Sequence, residues 1–124
     1  MLRSVEELHL AGKSLSSAEK ILGTDDERLV WAYSSDAVRH AVMAVAYAYL
    51  EELECENPRE AILRAMEAMP PRLWAEALRL LEILRSVSSR LTGPSIDLAR
   101  EAVEIASGIV LSRIPAGSSC KLRA

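Results

Sequence analysis

Between Val38 and Leu50 the chain carries one formal charge, on Arg39, with His40 beside it. Ala41, Ala44, Val45, Ala46 and Ala48 fill most of the stretch with small side chains. A helix that is apolar nearly all round must be surrounded by protein, and alanines let neighbouring helices approach closely. The surrounding segment, residues 24–54, reads as one long helix. Thr24 and Glu27 have the spacing of a capping box, and Asp25, Asp26 and Glu27 put negative charge at the positive end of the helix dipole. A membrane span would need roughly 18 or more uncharged residues in a row, and Asp36 and Arg39 interrupt the run. The helix is therefore expected at the centre of a bundle.

The flanking segments supply its neighbours. Residues 4–22 form a first helix: Ser4 and Glu7 make an S-x-x-E box, and Leu8, Ala11, Leu15, Ala18 and Leu22 share one face. Gly23 suits the position just after a helix, where a positive φ costs it little. After the acidic run Glu51, Glu52, Glu54, Glu56 around Cys55, Asn57 caps a short third helix with Pro58 at its first position. Ile62, Leu63, Met66 and Met69 are its apolar positions, and Pro70-Pro71 ends it. A fourth helix, residues 71–91, carries Leu73, Trp74, Ala77, Leu80, Leu81, Leu84, Val87 and Leu91, while Arg72, Glu76, Arg79, Glu82 and Arg85 face away at ion-pairing spacings. Gly93-Pro94 terminates it. Ser95 then caps a fifth helix with Leu98, Ala102, Val103, Ala106, Ile109 and Val110, in which Gly108 marks a close packing point or a weak spot. No β-type alternation occurs. The expected fold is all-α: an up-and-down four-helix bundle with an additional short helix, one domain over residues 1–115 and a flexible tail over residues 116–124.

Composition narrows the function classes. The chain has 124 residues, with 18 acidic and 15 basic side chains and a formal net charge of -3, which argues against a broad nucleic-acid surface but leaves room for a local patch. Half of it is hydrophobic, so a folded core is expected. The two cysteines, Cys55 and Cys120, form no CxxC or Cys/His pair, and free thiols in a reducing, cytoplasmic setting are expected. Glu6, Glu7 and His9 break any signal-peptide core. One Asn, no Gln and many Glu and Arg fit a thermophilic source.

Few constellations carry chemistry. Glu6-x-x-His9 is half of a di-iron carboxylate set, and the other histidine, His40, has Asp36 one turn before it but no Glu where the set needs one. Glu51-x-x-Glu54 resembles the Mg²⁺-binding pair of all-α nucleotide pyrophosphohydrolases, but no second acidic motif follows. No serine has a G-x-S-x-G or S-x-x-K setting, and Gly-rich phosphate loops are absent. Ser34 and Ser35 mark a close helix contact or bond back to a carbonyl. No catalytic residue, metal site or cofactor is expected. Asp36, Arg39 and His40 form the polar group of most interest, because they interrupt the most apolar helix. They can pair at i,i+3 and i,i+4, or line a polar cleft that binds an anion or nucleotide.

The order of features resembles the HEPN superfamily of small helical bundles. A first helix ends in a short acidic turn (AEKILGTDDERL). A long Ala-rich helix follows (WAYSSDAVRHAVMAVAYAYLEEL), then a short linking helix, and the last helix has the A-x-x-A rhythm of LAREAVEIASGIVLSRI. The likeness covers about residues 5–114. It implies a helical bundle with a dimer habit and, as in toxin–antitoxin systems, a nucleotidyltransferase-type partner protein. Many HEPN proteins are metal-independent ribonucleases with an R-x(4–6)-H motif late in the bundle. Here no histidine follows His40, and Arg3 and His9 match the spacing only in the first helix.

Three functions therefore stand side by side. The first is a non-catalytic, HEPN-like homodimer that binds a partner protein or a nucleotide-like ligand. The second is an RNA-processing or toxin-type ribonuclease using His40 and Arg39, since a histidine near neutral pH suits acid–base work. The third is a small-molecule-binding bundle with a pocket among Trp31, Tyr47, Tyr49 and Trp74. The dimer expectation has its own argument. A bundle covers one wide stripe of a helix, whereas Val38, Val42, Ala46 and Leu50 form one strip and Ala37, Ala41, Ala44 and Ala48 another. Part of the helix around residues 38–50 is then left to meet its mate across a two-fold axis.

Overall fold

A computed structural model describes residues 2–24, 26–50, 57–89 and 95–113, and every element among them is helical. In chain order they are α1 (Leu2–Ile21), α2 (Glu27–Tyr49), α3 (Pro58–Ala68), a single 3-10 turn (Pro71–Leu73), α4 (Trp74–Ser89) and α5 (Ser95–Arg113). The all-α class holds. The acidic run at residues 51–56, Cys55, the Gly93-Pro94 terminator and the tail all lie outside the described residues.

α2 packs against every other α-helix, and α1 shares the largest surface with it. Its alanines are the reason. Ala37, Ala41, Ala44 and Ala46 are 0% exposed, as are Ala11 and Ala18 on the facing side of α1. Alanine-to-alanine contact brings two backbones close enough for the Ser4 hydroxyl to donate to the Ala44 carbonyl oxygen across the seam, at 2.7 Å. Ser4 was expected as an N-cap. Instead α1 starts earlier, at Leu2, and Ser4 is fully buried, holding α1 to α2. The volume that α2 leaves open is filled from outside. The largest fully buried side chains include Ile62 of α3, Leu80 and Ile83 of α4 and Ile109 of α5, packed with Val38, Val42 and Val45. Each buried methylene is worth on the order of 0.8 kcal/mol, so much of the apolar stabilisation is contributed by α3, α4 and α5.

The relative directions of the helices follow from cross-contacts. Ser4 with Ala44 and Glu7 with His40 set α1 antiparallel to α2. α5 begins beside the end of α1, where Arg100 approaches Glu19 at 3.6 Å, and ends beside the end of α2, where Arg113 Nε donates to the Ala48 carbonyl at 3.0 Å. It therefore runs parallel to α2. Arg79 on Glu101 ties the first half of α4 to the first half of α5. Trp74 was placed in the apolar stripe of its helix. It is 43% exposed, and its indole N–H donates to the carbonyls of Met66 and Met69 at 2.9 and 3.2 Å, fastening the start of α4 to the end of α3.

Several local expectations are corrected. The N-cap of α2 is Asp26, whose side chain accepts from the Leu29 N–H at 3.2 Å. Thr24 closes α1 instead: its hydroxyl donates to the Ile21 carbonyl at 2.7 Å and accepts from the Asp26 N–H at 3.3 Å. Gly23 does not take a positive φ, because this turn is closed by the Thr24 N–H and hydroxyl, both on the Ile21 carbonyl. Asn57 caps α3 as expected, accepting from the Arg59 and Glu60 N–H groups at 3.0 and 3.4 Å. Leu22 and Leu63, counted as core-facing, are 48% and 40% exposed, and Ile83 takes a core place the stripe on α4 had missed.

The most consequential correction concerns the surface of α2. Val38, Val42 and Ala46 are 0% exposed, Ala48 is 5%, and Leu50 is half-buried. The helices of one chain already wrap both strips, so the apolar surface from which a homodimer was argued is not on the outside.

Gly108 resolves as the weak spot. It is helical and exposed, and a Cβ built on it meets no atom within 4 Å. Gly108→Ala is expected to stabilise the fold by about 0.5–1 kcal/mol, because alanine costs less backbone entropy in a helix. A urea midpoint that fails to rise at unchanged slope would contradict this.

Candidate functional site

Ala32, Tyr33, Asp36 and Arg39 are exposed on α2, and after Arg39 every residue of the helix is buried or half-buried. Charge on this helix is confined to the stretch up to His40. The three residues singled out from the sequence sit there and differ in their surroundings. Among the described residues no ion pair joins Asp36 to Arg39 or His40. His40 turns towards α1, where its Nδ1 lies 2.6 Å from Glu7 Oε2, a partner 33 residues away rather than one turn away. With Nδ1–H donating, Glu7 fixes the ring between the helices. Arg39 instead lines a cleft shared by α2, α3 and α4.

That cleft has a volume of about 1010 Å³. α2 contributes Trp31, Ser35 and Arg39 at helical spacing. The start of α3 contributes Asn57, Pro58 and Arg59. α4 lines it from Leu78 through Leu81, Glu82 and Arg85 to Ser88 and Ser89. Arg39, Arg59 and Arg85 make no ion pair among the described residues. Among the described residues the lining has one carboxylate, Glu82, which already accepts from Arg79 at 2.9 Å. Arg79 stands outside the lining and holds Glu101 of α5 with two further bonds, at 2.5 and 2.9 Å. A chain of net charge -3 thus presents a locally positive concavity. Beside the cations the wall is apolar: Leu78 is 51% exposed within it, next to half-buried Leu81 and Trp31. The arrangement can attract an anion and hold a flat apolar group next to it.

Arg59 and Arg85 were not picked out from the sequence. Arg85 was assigned to an outward ladder of charges. The available signal was its position one turn beyond Leu81 and one before Ser88-Ser89, on the edge of the apolar stripe of α4. The four aromatics proposed as one pocket are dispersed. Trp31 lines the cleft, Tyr47 carries the Arg3 guanidinium at 4.4 Å, Tyr49 carries Arg113 at 4.7 Å, and Trp74 closes the α3–α4 turn. Arg3 is thus engaged with Tyr47, while His9 is exposed on α1. Ser34 is buried with no hydrogen-bond partner for its hydroxyl among the described residues, and Ser35 lines the cleft. Among the described residues no group of three His, Cys, Asp or Glu side chains comes together as a metal centre would require, and no helix is long and apolar enough to cross a membrane.

The clasp behind the cleft gives a pH signature. Its hydrogen bond with Arg79 holds the Glu101 carboxyl below its ordinary value, and the same bond raises Arg79. Because the folded value of Glu101 lies below the unfolded one, its contribution is present above the ordinary carboxylate range and is lost as pH falls through the folded value. Both groups are more than a third exposed, so solvent and salt weaken the effect. Arg79→Met is expected to lower Tm slightly at pH 7, by an amount that shrinks below pH of about 4 and in high salt. A Tm difference independent of pH would show that the clasp contributes packing rather than charge.

Compared with known proteins, this chain matches no family model, no curated protein and no solved structure.

Proposed function

We propose that this chain is a non-catalytic helical module that binds a small nucleotide-like ligand in the cleft between α2, α3 and α4. The observation that carries the reading is that Arg39, Arg59 and Arg85, without an ion pair among the described residues, line one concavity with an apolar wall. Its volume falls at the upper end of the roughly 300–1,000 Å³ common for small-molecule sites. We read α1, α2, α4 and α5 as an up-and-down bundle and α3 as the added short helix, in keeping with the HEPN-like order of the sequence. That likeness also keeps a dimer and a nucleotidyltransferase-type partner within the proposal, but through a surface other than the covered strips of α2.

The ribonuclease reading has less support. His40 is directed to Glu7 at the α1–α2 seam, and Arg39 opens to the cleft, so the two do not meet at one reacting centre within a chain. Native mass spectrometry of the full chain with a nucleotide mixture, paired with an RNA-cleavage assay, tests the choice. A one-to-one nucleotide adduct and intact RNA are expected. RNA cleavage that disappears in His40→Ala, with no adduct, would replace this reading by the enzymatic one.

A further inference from the structure

The charge and shape of the cleft specify its ligand more closely than a general likeness to nucleotides, and this step rests on the binding role proposed above. We infer that the site takes a phosphate ester of a flat ring compound, with the dianionic phosphate held among Arg39, Arg59 and Arg85 and the ring laid on Leu78 and Leu81.

Three features lead to the phosphate. The arginines come from three different helices, so they can approach one group from three directions, and a terminal phosphate offers three oxygens to share among guanidinium forks. A carboxylate offers two and carries one charge. Among the described residues the lining holds three arginines against one carboxylate, Glu82, which Arg79 already engages. A dianion therefore offsets more of this charge than a monoanion does. The N-terminal end of α3, an eleven-residue helix, opens on the same cleft at Pro58 and Arg59 and adds positive potential there. Its first N–H groups are taken by the Asn57 side chain, so the arginines carry the contact.

Two features lead to the ring. Leu78 is half in solvent beside cations, an arrangement that gains nothing in the free protein and becomes favourable when a flat apolar face covers it. Ser35, Ser88 and Ser89 border the same space with hydroxyls that can serve the polar edge of a ring or sugar. A nucleic-acid strand is a poorer fit, because strand-binding surfaces place cations along an extended track, whereas here they are gathered in one cleft.

Calorimetric titration of the full chain at fixed ionic strength tests this with AMP, adenosine, flavin mononucleotide, riboflavin and inorganic phosphate. Each phosphorylated compound is expected to bind at least tenfold more tightly than its unphosphorylated counterpart, and the better of AMP and flavin mononucleotide identifies the ring source. Arg39→Gln and Arg85→Gln are each expected to lose about tenfold in that affinity, whereas Arg72→Gln, outside the cleft, leaves it unchanged. Circular dichroism on the same samples confirms that the variants remain helical. Equal affinity for adenosine and AMP, or for riboflavin and flavin mononucleotide, overturns the phosphate inference and leaves a cleft-binding role standing. Phosphorylated ligands that bind Arg39→Gln and Arg85→Gln as they bind the native chain overturn it as well. Failure of all five compounds at millimolar concentration overturns the inference and the binding role together.

Discussion

The close seam between α1 and α2 is the contact on which the rest of the structure depends. It forms because alanine faces alanine, and its depth is recorded by one bond, the Ser4 hydroxyl on the Ala44 carbonyl oxygen. A buried hydroxyl without a partner costs roughly 1–3 kcal/mol, so the seam must keep that spacing or lose more than the bond itself. With α1 fixed, α2 retains three other sides, and α3, α4 and α5 cover them with Ile62, Leu80, Ile83 and Ile109. The central helix gives closeness, and its neighbours give bulk.

That division of labour locates the polar surface. Where α2 is fully enclosed, no charge is tolerated. Where the covering helices separate, towards its N-terminal half, Arg39 reaches the cleft and His40 reaches Glu7. The arginines split in the same way. Arg79, Arg100 and Arg113 serve contacts between helices, whereas Arg39, Arg59 and Arg85 border one volume and have no ion pair among the described residues.

How far the sequence could be read depended on the range of the interaction. The helices, the Asn57 cap and the phase of the core are local, and they were legible from periodicity: Ala37, Ala41, Ala44, Leu84 and Ala106 are buried, and Leu8, Leu15, Leu81 and Val103 are half-buried. Ser4 and Thr24 were misread because both have a cap-like local pattern while their hydroxyls answer to other carbonyls. The burial of both strips of α2 within one chain depends on a quantity that spacing does not contain, namely how many neighbours one helix can collect from its own chain. The cleft was half legible. Arg39 stood out against an apolar run, but Arg59 and Arg85 are ordinary charges on their own helices and gain meaning only where three helices meet.

The enclosure of α2 also sets which sequence changes this fold can absorb. At Ala37, Ala41 or Ala44 any added carbon pushes two backbones apart, so these sites resist growth. At Ile62, Leu80 or Ile109 the fold is hurt by loss, since nothing nearby can move in to fill the space. Drift in this chain should therefore be one-sided at each core position. Paired exchanges that enlarge the centre while trimming the rim are the route by which its packing can change without its topology.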